Sequence, residues 1–229
     1  MEGRLGGAPV FLLGMRAVDR QMPDGFATTL EGTVWLTSKW TMADDKDARQ
    51  MAALLDAPLT TGADELRAAA IARVTGGWAS GGGGAFVAAL RDAAFVEFEP
   101  PAEPVAPLSQ LPTNGSMFVV VSADSAEVPS EQLAGPLTSA MSQAGIRLLA
   151  AQPERPPVTG RSPVPEVPEF VGALRRDSDV APRISTVDNL NDYRGRVAAV
   201  WAIEGLRTGR TGHYGFGPDA QRLVPEQAS

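Results

Sequence analysis

Apolar residues in this chain gather in short runs, separated by polar, glycine-rich or proline-rich stretches. Pro9–Leu13 and Gly32–Thr37 read as buried strands, each a brief apolar run bounded by turn residues. Asp44 or Asp45 then caps a helix through Leu55 that places Met51, Leu54 and Leu55 on one face. Asp64–Val74 is a second helix, with acids in its first turn where the helix dipole favours them. Ala85–Ala93 is a short third helix leading into a strand at Ala94–Phe98. Strand Met117–Ser122, helix Ser130–Ala144 with Gly145 as C-cap, and strand Ile146–Ala150 form a βαβ unit. A strand around Arg183–Thr186 and a helix from about Arg194 to Leu206 follow, with Val197, Val200, Trp201 and Leu206 on one side.

Strands alternating with helices predict an α/β fold, a Rossmann-like mainly parallel sheet covered by helices on both faces. Strand alternation and helix periodicity assign Val10, Leu12, Val34, Leu36, Val119, Val121, Leu148, Val200 and Trp201 to the core. Two proline-rich stretches, Pro100–Pro112 and Pro153–Pro168, cannot be regular helix. They read as linkers within one domain, separating a lobe at about 9–99, the βαβ unit at 117–150 and a C-terminal strand–helix segment at 180–217.

A hydrophobic content of 44% is enough for a core and excludes wholesale disorder. The net charge of −7 and a pI near 4.8 argue against a nucleic-acid partner, which requires a basic face. Without cysteine, the chain offers no disulfide framework, thiolate metal site or thiol nucleophile. The apolar runs Val10–Met15, Met117–Val121 and Val197–Ile203 fall far short of the roughly 20 residues that cross a bilayer. The opening Met-Glu-Gly-Arg-Leu lacks the charged-then-apolar build of a signal peptide. The chain by itself is therefore expected to be soluble, with no membrane insertion.

Candidate chemistry is sparse. The stretch Gly76–Gly84 follows a helix instead of a strand and fits no phosphate-loop register, so it reads as a flexible loop in preference to a phosphate site. The seven Met residues are scattered, Met51 and Met141 lie on apolar helix faces, and His213 is the single histidine. Core packing explains most of the Met residues better than ligation of a soft metal does. The acidic run Asp44–Asp47 is helix capping and lacks the Gly and Glu of a calcium loop. No nucleophile elbow accompanies the single histidine, so an enzyme is unsupported. No catalytic or metal residue is assigned.

The informative stretch is the last one. It contains Ser185-Thr186-Val187-Asp188-Asn189, then Gly195-Arg196-Val197 opening an apolar helix, then Gly209-Arg-Thr-Gly212-His213-Tyr214-Gly215. In this order the chain resembles the MctB-like family, also described as copper-transporter-like or SteB-like actinobacterial envelope proteins. The segment Leu30–Thr37 (LEGTVWLT) is similar to that family's second strand, so the resemblance runs over most of Pro9–Gly217.

The resemblance implies a non-catalytic cell-envelope protein on the extracytoplasmic side, concerned with copper efflux or homeostasis, and it alone introduces copper as a ligand. It implies equally a scaffold for a SteA-like envelope or division partner, and homo-oligomers among anchored relatives. The family's usual N-terminal transmembrane helix and coiled coil have no counterpart in this sequence, which leaves membrane attachment unsupported. A nucleotide- or sugar-binding α/β enzyme is a further alternative, motivated by the fold only. Within the motif, Ser185, Thr186, Asp188 and Asn189 follow a strand and precede a helix, which is where open α/β sheets place ligands. The same residue types are also ordinary cap and turn chemistry, and capping is favoured. On that reading Asp188 and Asn189 brace the helix starting near Arg194, while Arg196 meets Asp192 or an acidic partner. Gly212-His213-Tyr214-Gly215 is a docking surface or a turn.

Overall fold

In the computed structural model the described residues are 9–18, 30, 32–99, 116–153, 169–217 and 219–223. The apolar runs form strands because a β-branched or aromatic run buried on both sides pays no penalty for lacking alternation. They are β1 (Val10–Met15), β2 (Gly32–Leu36), β3 (Val96–Glu99), β4 (Met117–Val121), β5 (Arg147–Ala151), β6 (Ser185–Val187) and β7 (His213–Tyr214). One seven-stranded sheet contains them all in the order β3-β2-β1-β4-β5-β6-β7. Every pairing is parallel except β2 with β3, which is antiparallel and forms one edge.

Every residue of β1, β2 and β4 is buried, and successive side chains point to opposite faces, so both faces of the sheet are covered. The covering helices are α1 (Asp45–Leu55), α2 (Ala63–Ala79), α3 (Gly84–Asp92), α4 (Ala134–Gln143), α5 (Glu169–Arg176) and α6 (Tyr193–Arg207). α1 has the predicted start, since the Asp44 carboxylate accepts the Lys46 amide at 2.9 Å. Gly145 takes the left-handed conformation just past α4. Val10, Leu12, Val34, Leu36, Val119, Val121 and Leu148 are all in the core.

Three local expectations are corrected. α2 continues through Gly76 and Gly77, so only the end of the glycine stretch is a loop, and a Cβ on Gly77 would press on the Gly83 backbone. α4 begins at Ala134 and not at Ser130. Residues 130–133 form a turn, and the Ser130 hydroxyl pairs with that of Ser122 at 2.7 Å. Val200 and Trp201 are only half-buried. α6 instead presents Gly195, Ala198, Ala199, Ala202, Ile203 and Leu206 to β5 and β6, since small residues let the helix lie close to the sheet. α5 (Glu169–Arg176) is an additional helix, beyond those the sequence pattern predicts. The linkers proposed at Pro100–Pro112 and Pro153–Pro168 fall almost wholly outside the described residues.

Candidate functional site

The signature residues meet at the β6–β7 end of the sheet. β6 supplies Ser185 and Thr186 and is followed by Asp188 and Asn189, all four buried. β7 lies parallel beside it, with Thr186 opposite His213 and Val187 opposite Tyr214. The Thr186 amide donates to the Gly212 carbonyl at 3.0 Å, and the Asp188 amide to that of Tyr214 at 3.2 Å. The Ser185 hydroxyl accepts the Gly212 amide at 3.3 Å. The far side of β7 is held by the chain that follows, through Gly215 N–H to the Arg222 carbonyl at 3.0 Å.

At the centre stands a residue that the motif does not contain. Arg175, in the last turn of α5, has a side chain that is 0% exposed. Its Nε donates to Thr186 Oγ1 at 2.8 Å, its Nη1 to Asp188 Oδ2 at 2.9 Å and its Nη2 to the Tyr214 carbonyl at 2.7 Å. One planar guanidinium thus joins α5, β6 and β7. Burial pushes its pKa down, and Asp188 beside it pulls the other way.

Asp188 completes the arrangement. Its Oδ1 accepts the Phe216 amide at 2.8 Å and its Oδ2 the Gly217 amide at 3.0 Å, so the carboxylate is ligated by one cation and two backbone N–H groups. Gly215 has φ +131°, and a Cβ there would overlap the Asp188 carboxylate, which restricts this position to glycine. Asn189 is left-handed at φ 52°, and its amide nitrogen, turned toward Asp188, donates to the Asp188 carbonyl and carboxylate.

Asp188 and Asn189 therefore do not cap the following helix. Asp192 does, accepting the Arg194 amide at 2.7 Å. The motif's first acid is drawn inward by Arg175, and the exposed acid at the end of the turn is left to cap. Arg196 donates to the Asn191 carbonyl at 3.4 Å, in place of Asp192. Gly195 packs on the Asn189 backbone so closely that a side chain would not fit.

His213 is half-buried, with Nδ1 at 3.0 Å from Thr186 Oγ1. Burial and then Arg175 push its pKa below the ordinary value, while Asp219 opposes them. Burial raises the Tyr214 phenol, against Arg210 and Arg222. Among the described residues no three His, Cys, Asp or Glu side chains gather as a metal-binding group. Met15, Met51, Met117 and Met141 are each fully buried in the core. No helix among the described residues is long and apolar enough to cross a membrane.

Arg175 left a signal in the sequence. Phe170, Val171 and Leu174 form a buried stripe, and position 175 falls on that stripe, four residues after Val171. A charge at an apolar helical position announces a buried counter-charge, and Asp188 is that partner.

Comparison with known proteins agrees with the motif. The family model described as "Copper transport outer membrane protein, MctB" matches residues 1–225. A protein named Copper transporter MctB from Mycobacterium tuberculosis is 35% identical over 71 residues, covering 31% of this chain and 23% of that protein. The protein of the same name from Mycobacterium bovis aligns to the same extent, 71 residues at 35% identity. The aligned part is thus under a quarter of the length of these curated relatives.

Proposed function

Because the chain belongs to the MctB family of copper transport outer membrane proteins, we propose that it serves copper homeostasis at the cell envelope as a non-catalytic domain. The supporting observation is the closed motif: Arg175, Thr186, Asp188 and Asn189 engage one another inside the fold. Polar side chains bound to each other in a buried cluster define a shape; they do not poise a nucleophile or present a coordination site. The run of parallel strands β2-β1-β4-β5-β6, with helices on both faces, supports the reading of a doubly wound, Rossmann-like sheet, to which β3 adds an antiparallel edge. An envelope partner protein belongs to the same proposal, supported by Tyr193 and Phe216, which border the motif with 66% and 55% exposure.

The test is deletion of the gene in its native host, followed by measurement of cellular copper and growth on copper. Deletion is expected to raise both copper content and copper sensitivity, and the wild-type gene to restore them. Unchanged copper content in the deletion strain overturns the proposal. Calorimetry of the purified chain with copper is expected to give no stoichiometric submicromolar site. Such a site would make the chain itself a carrier of copper.

A further inference from the structure

We propose that the relay Arg175–Thr186–His213 is a pH-operated catch, which holds the strap Gly212–Gly217 on β6 near neutral pH and loosens it when the imidazole takes up a proton.

The argument begins with the direction of the hydrogen bonds. Arg175 has donors only, so its Nε–H must point into Thr186 Oγ1, 2.8 Å away. The Thr186 hydroxyl then has one proton left to place. Thr186 is 0% exposed, and its side-chain partners among the described residues are Arg175 and His213. That proton goes to His213 Nδ1, at 3.0 Å, which must be the bare nitrogen of a neutral ring. The relay therefore fixes the imidazole as the Nε2–H tautomer. Protonation places a second hydrogen between Nδ1 and Oγ1. The hydroxyl must then turn to accept it, and its own proton loses its buried acceptor.

The charges around the ring act in the same direction. Arg175 of α5 faces it with a buried positive charge, and Asp188, beyond that guanidinium, is already ligated by Arg175 and the amides of Phe216 and Gly217. Asp219, after the strap, favours the imidazolium and is exposed to solvent. Tyr214, next in the strand, is held protonated by burial, with Arg210 and Arg222 against it. Burial, then Arg175, lower the His213 pKa, so the opened strap binds the proton more readily than the closed one. Closure is complete above the ordinary histidine value of about 6.5 and weakens as pH falls through the lowered value.

His213 is the single histidine of the chain, so histidine-selective isotope labelling reports on it alone. NMR is expected to find the Nε2–H tautomer at pH 7.5 and one titration below the ordinary value. After correction for intrinsic rates, amide exchange at Thr186, Asp188, Phe216 and Gly217 is expected to quicken between pH 7.5 and 5, by about tenfold per unit of pKa depression. Amides of β1 and β4 should not change. Asp219→Asn is expected to move the midpoint lower, and His213→Gln to remove the response. An Nδ1–H tautomer in the wild-type chain, a flat exchange profile, or a response that persists in His213→Gln overturns the catch. The tautomer requires no variant to fold.

Discussion

Arg67 and Arg175 are buried almost equally, 6% and 7% exposed, and are held in opposite ways. Arg67, on α2, gives Nε and Nη2 to the carbonyls of Trp40 and Thr41 at 2.9 and 3.2 Å, closing the 3-10 turn Ser38–Thr41. Its counter-ion Asp64 has a side chain that is 97% exposed, so solvent already screens that carboxylate. Around it the lobe is apolar, with Trp40 edge-on to Phe95 at 6.1 Å. Arg175 instead faces an acid whose side chain is only 4% exposed. In the first region an arginine finishes the backbone of a packed lobe. In the second the charges are the packing, and each member depends on the others.

Asp188→Ala should therefore do more damage than the loss of the Arg67 guanidinium. It takes the carboxylate from Arg175 and the acceptor from the Phe216 and Gly217 amides together, and urea unfolding is expected to show a loss of about 3–5 kcal/mol. Arg67→Met keeps the aliphatic stem and loses the two carbonyl bonds, so about 1–3 kcal/mol is expected from the same measurement. Equal losses in these two variants would erase the distinction between the regions. Asp192→Ala removes the cap of α6 without touching the lock, and thermal melts should register about 1 kcal/mol. A loss as large as that of Asp188→Ala would mean that α6 and the lock unfold as one unit. The smallest effect belongs to Thr138→Val in α4. Thr138 Oγ1 is buried and has no hydrogen-bond partner among the described residues, so an isosteric apolar side chain should leave stability unchanged or raise it by up to about 1 kcal/mol. A clear loss would show that the hydroxyl serves something within the apolar half.

The same contrast decides what was legible in the sequence. β1, β2, β4 and β5 could be read because strands buried on both faces are contiguous apolar runs, and the α1 start because Asp44 caps locally. The motif Ser185–Asn189 and Gly212–Gly215 was visible as a pattern, but its internal connection ran through Arg175, outside it. Capping statistics pointed to Asp188, yet they describe neighbours in sequence, and a buried guanidinium 13 positions upstream outweighed them. The buried face of α6 differs from the expected one for a related reason. Val200 and Trp201 are the larger apolar residues, but closeness to β5 and β6 selected glycine and alanine. Ser130 resembles a cap and so predicts a start for α4 four residues early, whereas its hydroxyl is paired with Ser122.

The sheet order also has a temporal side. A ribosome delivers β1 well before β4, so Val10–Met15 must wait for Met117–Val121 with one edge unpaired while α1 to α3 and β3 emerge. Long-range parallel pairing of this kind is slow, and it leaves an apolar edge open to other chains in the interval. The lock comes later still. Arg175 and Asp188 are made before Tyr214, Phe216 and Gly217, the residues that satisfy them. A nascent chain stalled before Tyr214 therefore holds the Arg175–Asp188 pair without the carbonyl and the two amides that complete its bonding, and β7 with the turn after it closes the cluster.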